Sequence, residues 1–91
     1  ALKRSPSQQA IRLNLGLALY KAARFEEAAG EFAAVVSAQP VNLQARYLEA
    51  DCQLRLGRPE AVVTLLEPLA ATRSDDRVLA YLLGMAYLRT Q

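Results

Sequence analysis

Ninety-one residues give at most one small domain with little stability in reserve, and 53% hydrophobic content with only 7% aromatics suits close-packed helices better than a sandwich or barrel. Eleven basic and nine acidic residues are spread along the chain for a net charge of +2, so no basic block offers a nucleic-acid footprint. His is absent and Cys52 is the only cysteine, which removes an imidazole base, an intrachain disulfide and a cysteine-built metal site.

The chain opens without Met on Ala1 to Gln8 (ALKRSPSQ), which lacks the apolar core of a secretory signal. No run approaches the roughly 20 apolar residues that span a bilayer, so membrane insertion of this segment is not expected. The compartment is open between the cytoplasm, as the default, and a bacterial periplasm. Pro6 returns as Pro40, 34 residues on, and Leu15-Gly16 returns as Leu83-Gly84 after two such intervals, with Ala50 midway. A fixed period in this range signals stacked helical hairpins. The chain then divides into a tail of a preceding unit (1–8), two full units (9–42 and 43–76) and the first helix of a third (77–91), as expected of a piece of a longer array.

The first helix is predicted over about Gln9 to Ala22. Its apolar residues Ile11, Leu13, Leu15, Leu17, Ala18, Leu19 and Tyr20 cover most of its circumference, which requires cover on more than one side. A turn at Ala23-Arg24 leads to a second helix, Phe25 to Ala38, with Phe25, Ala28, Ala29, Phe32, Val35 and Val36 on one stripe. Lys21 closes the first helix and Glu26 and Glu27 open the second, the charge order the helix dipole favours. Pro40 ends it by disfavouring helical geometry at Gln39. The second unit repeats this as Leu43 to Leu56, a turn at Gly57-Arg58, and Pro59 to about Thr72. Pro59 fits a first helical turn, whereas Pro68, nine residues further in, is expected to kink or shorten its helix. Ser74-Asp75-Asp76 supplies cap acceptors for a last helix from Arg77 to about Thr90. Gly16, Ala50 and Gly84, with Ala18, Cys52 and Ala86 two residues on, form columns of small residues where helices approach closely. Cys52 is thereby a small core filler and not a reactive thiol.

The run Leu15-Gly16, Phe25, Ala28, Phe32, Pro40 resembles the tetratricopeptide repeat, whose pattern has Leu-Gly in the first helix, an aromatic after the turn, Ala and an aromatic in the second, and a closing Pro. Arg12 stands where the family has an early Trp, and Leu19 where it has Tyr, which Tyr87 restores in the third unit. The second unit diverges, with Glu49-Ala50 for Leu-Gly, Gln53 for the Tyr, Pro59 for the aromatic and Ser74 for the closing Pro. The resemblance implies an all-α, right-handed superhelical stack of antiparallel hairpins, about five helices here, acting as a non-catalytic scaffold for protein partners and needing no cofactor.

The same resemblance puts one stripe of the first helices on the concave side, where such arrays hold peptides. The stripe is Leu13, Leu17 and Tyr20; Tyr47, Asp51 and Leu54; Tyr81, Met85 and Leu88; its edge is basic at Lys21, Arg55 and Arg89. These side chains suit an apolar or amphipathic segment with acidic flanks. The positions matching the family's chaperone-tail clamp are Leu13, Leu17, Leu48, Val78 and Leu82, none of which can grip a carboxylate. Asp75 and Asp76 are better explained as a helix cap than as a catalytic pair, and no glycine cluster forms a phosphate loop. The alternative reading is a scaffold that self-associates through its C-terminal helix, where Leu79, Leu83 and Tyr87 would lack the cover of a following helix.

Overall fold

The computed structural model describes residues 6–73 and 75–90. They form five helices, with no strand among them: α1 (Pro6–Lys21), α2 (Phe25–Ala38), α3 (Leu43–Arg55), α4 (Pro59–Ala70) and α5 (Arg77–Thr90). α2 packs on both α1 and α3, α4 packs on α3 and α5, and α3 also touches α5. The result is an all-α helical repeat, two helical hairpins followed by a fifth helix.

The 34-residue offset holds in the backbone and not only in the residue types. Ala23 and Gly57 stand one period apart in the two hairpin turns, and both have positive φ, 62° and 78°. Gly57 adopts that geometry without penalty, while Ala23 carries the strain of a Cβ in the left-handed region. The next residue in each turn, Arg24 and Arg58, precedes the second helix. Asn42 and Asp76 are likewise one period apart, and each opens a first helix as its cap. The Asn42 side chain accepts from the Ala45 N–H at 3.1 Å, and Asp76 accepts from Val78 and Leu79 at 3.0 and 3.1 Å. Arg12 and Arg46, in the slot of the expected early Trp, both reach across to their own second helix. Arg12 pairs with Glu31 at 3.2 Å, and Arg46 donates to the Leu65 carbonyl at 3.2 Å.

Departures from expectation have local causes. α1 begins at Pro6 and not at Gln9, so residues 6–8 are continuous with it; residues 1–5 of the expected preceding tail lie outside the described residues. One period before Asn42 stands Gln8, whose side chain is too long for the usual cap, and the helix runs back to a proline that has no N–H to leave unpaired. Pro68 stays inside α4, which ends at Ala70, two residues short of the position matching the end of α2. The expected capping run narrows to Asp76, with Asp75 exposed and Ser74 outside the described residues.

The core lies between first and second helices. Ala28, Ala29 and Phe32 of α2 enclose Cys52 of α3, all at most 4% exposed, with Leu13, Leu17, Leu19 and Tyr20 packed around them. Val62 and Leu66 of α4 share a second cluster with Ala50 and Leu54 of α3 and Leu79, Leu82, Leu83 and Ala86 of α5. Of the columns of small residues, Gly16, Ala50, Cys52 and Ala86 are buried in these seams, whereas Ala18 and Gly84 are exposed. A Cβ on Gly16 would stand 2.7 Å from the ring of the fully buried Phe32, whereas one on Gly84 would meet nothing within 4 Å. Position 16 faces the second helix of its own hairpin, and the described chain has no such helix beside α5.

This packing corrects one expectation. Leu79 and Leu83 are 2% and 7% exposed, because α4 already covers that side of α5; only Tyr87 of the three is open. The matching slots on α1, two periods earlier in register, are occupied by Ile11 and Leu15, exposed to 69% and 49%. Exposed apolar side chains therefore stand at both ends of the described stack, Ile11 and Leu15 on α1 and Tyr87 and Leu88 on α5.

Candidate binding groove

The first helices α1, α3 and α5 together line a groove of about 420 Å³. Leu17 comes from α1, Gln44, Tyr47, Leu48, Asp51 and Arg55 from α3, and Val78, Tyr81 and Leu82 from α5. The lining residues of α3 and of α5 fall at three- or four-residue spacing along their helices, which keeps them on one face. α2 and α4 lie on the other side and hold the three first helices in place. A smaller recess of about 190 Å³ adjoins the groove through Asp51, Arg55 and Tyr81 and adds Leu54, Met85 and Arg89.

Of the stripe read from sequence, Leu17, Tyr47, Asp51, Arg55 and Tyr81 line the main groove, and Leu54, Met85 and Arg89 the recess. Leu54 is a correction in part: at 5% exposure it is a core residue that offers the recess little more than an edge. Leu13 and Tyr20 pack against the α2 cluster, Lys21 is exposed at the end of α1, and Leu88 is 69% exposed outside both linings. Four lining residues were missed: Gln44, Leu48, Val78 and Leu82. Three of these, with Leu17, are the positions that match the family's carboxylate clamp, and that register was the signal. Where the clamp would place polar groups, this chain supplies an apolar floor.

The polar groups of the groove are largely satisfied by each other. The Tyr20 hydroxyl donates to Asp51, which also takes the Arg55 Nε at 3.3 Å. Tyr47 donates to Asp76 at 2.5 Å, tying the groove wall to the cap of α5. Burial, with that hydrogen bond, pushes the Tyr47 hydroxyl up to about 12, and the bond to Asp51 raises Tyr20; both are neutral donors at physiological pH. The Tyr47 hydrogen bond in turn holds the Asp76 carboxyl below its ordinary value. The Arg55 guanidinium lies 5.5 Å from the centre of the Tyr20 ring and 5.3 Å from that of Phe25, a stacking that fixes its orientation.

A family model described as tetratricopeptide repeat matches residues 1–38 and 13–61. The chain belongs to the tetratricopeptide repeat family. No curated protein and no solved structure matches it. Tetratricopeptide repeats are generally protein–protein interaction modules, and the match covers the first hairpin, α3 and the first residues of α4.

The chain has no His, and no group of three or more His, Cys, Asp or Glu among the described residues could hold a metal ion. Cys52 is enclosed, and burial pushes its thiol up to about 11, which leaves almost no thiolate at neutral pH. Among the described residues no helix is long and apolar enough to cross a membrane.

Proposed function

We propose that this segment is a non-catalytic adaptor that holds an apolar or amphipathic stretch of a protein partner in the groove between α1, α3 and α5. One observation carries the reading: Val78 and Tyr81 are 51% and 62% exposed beside Leu17, Leu48 and Leu82, in a groove whose own carboxylate is already paired. Exposed apolar side chains gathered in one concavity lose their contact with water when a partner enters, and aromatic anchors dominate such interfaces. Neutral Tyr20 and Tyr47 impose no charge on the guest, and the arginines beyond them favour acidic flanks.

The test replaces Leu17 and Tyr81 with Asp, separately and together, and adds Val78→Asp, whose side chain is half open and contributes less to packing. Binding of peptides selected on the wild-type chain should be lost in every variant, with the helical circular dichroism of Val78→Asp and Tyr81→Asp unchanged. Retention of wild-type affinity by all of them overturns the reading.

A second reading has its own support. Ile11 and Leu15 form an exposed apolar ridge one turn apart on α1, in slots whose α5 counterparts are buried, and such a ridge would suit contact with a second copy of the chain. Light scattering over a dilution series tests it. A mass that rises with concentration, and falls to the monomer in Leu15→Glu, supports it; a monomer at every concentration counts against it.

A further inference from the structure

Lys21, Arg55 and Arg89 recur at intervals of 34 residues, one in the last turn of each first helix. Two of them, although exposed, have contacts that orient them. Arg55 stacks on Tyr20 and Phe25 and bonds Asp51 through Nε at 3.3 Å, not through its terminal nitrogens. Arg89 bonds the Leu54 carbonyl at 3.2 Å through Nη1. Each guanidinium carries five N–H donors in a planar fork, so most of the donors on both remain for a guest. Both arginines line the recess at the end of the apolar groove, beside Met85 and Tyr81. The recess contains two guanidiniums against a single carboxylate, Asp51, which leaves an excess positive charge next to an apolar wall.

We infer that the Arg55–Arg89 recess is a carboxylate subsite, so that the guest is a segment carrying an acidic group beside a large apolar residue, with the acid anchored at the C-terminal end of α3 and α5. The inference rests on the groove reading above and adds a direction and a charge to it. Arginines immobilised before the guest arrives lose little side-chain freedom on binding, and their planar forks match a carboxylate in two parallel bonds. These positions differ from the apolar slots that line the floor, so the subsite is a property of the rim.

The carboxylate can come from an Asp or Glu side chain or from a chain terminus. Two pools of random dodecapeptides separate these sources, one displayed between constant flanks and one with a free C-terminus, each selected on the immobilised chain. The expected result is enrichment of Leu, Met, Phe or Tyr next to an acid, by about tenfold over the unselected pool for a charge-assisted pair. Acid enrichment in the flanked pool assigns a side-chain carboxylate, and enrichment in the free-ended pool alone assigns a terminus. Arg55→Gln and Arg89→Gln should each weaken the acid preference while the apolar preference persists; Arg24→Gln, on the hairpin turn outside the recess, should leave both intact. Apolar enrichment with no acid preference in either pool overturns the subsite and leaves the groove reading standing. No enrichment of any kind overturns both.

Discussion

Leu15-Gly16 and Leu83-Gly84 are the same dipeptide in the same register, yet Gly→Ala should act in opposite directions at the two sites. At Gly84 the new methyl meets nothing within 4 Å, so only backbone entropy and helix propensity respond. Alanine should stabilise there by about 0.5–1 kcal/mol. At Gly16 the same methyl would stand 2.7 Å from the Phe32 ring, and Phe32 is fully enclosed and has nowhere to retreat. Overpacking of a tight core costs roughly 1–3 kcal/mol, against a propensity gain of at most about 1 kcal/mol. The net expectation is a destabilisation of up to about 2 kcal/mol, and hence a gap of about 1–3 kcal/mol between the two variants. Gly30→Ala, in mid-α2 with open space around it, serves as a second control and should follow Gly84. Urea unfolding followed by circular dichroism measures all three, since a midpoint shift at constant slope reports stability alone. Equal stabilisation by alanine at 16, 30 and 84 would refute the claim that the Gly16 column is where α1 and α2 meet.

Other perturbations follow from the same register. Ala23→Gly should stabilise by about 1 kcal/mol and Gly57→Ala should destabilise by a similar amount, because both turns require positive φ; urea midpoints moving the same way for both would contradict the turn assignment. Asn42→Ala removes the acceptor for the Ala45 N–H and should cost about 1 kcal/mol, measured by thermal unfolding. Burial raises the carboxyl pKa of Glu49 from 4.5, so ionisation opposes folding: the protonated form is favoured in the folded chain, and that advantage is lost as pH rises. Glu49→Gln should therefore stabilise at neutral pH and have no effect well below pH 4.5. Equal effects at both pH values would show that the side chain's charge is not the cause.

The repeat was legible because its signals are local. Phe25 to Ala38 emerged with both ends as read, since the aromatic after the turn, the acidic first turn and Pro40 all act within a few residues of the boundary. Pro6 was read as a helix end, but it opens α1, because a proline closes one helix and opens another equally well. Leu79 and Leu83 were read as open by counting which helix follows α5. Their burial depends instead on which helix precedes it, a tertiary fact that the apolar pattern of α5 alone does not encode. The groove was half legible for a related reason. A single stripe of three positions per helix describes one face of an isolated helix and not the packing of its neighbours, so Leu54 is buried in the seam, Val78 is half exposed, and Leu82 is buried in the core while its edge still lines the groove. The register of Leu48, Val78 and Leu82 was visible in the sequence as the clamp positions, and their apolar character obscured their part in the lining.

The most direct measurement of the central claim is methyl-selective NMR of the chain with a peptide selected on it. Intermolecular contacts from the peptide to the methyls of Leu17, Leu48 and Val78, with Ile11 and Leu15 undisturbed, are the predicted result. Contacts confined to Ile11 and Leu15, or a peptide that binds without touching the face shared by α1, α3 and α5, would contradict it.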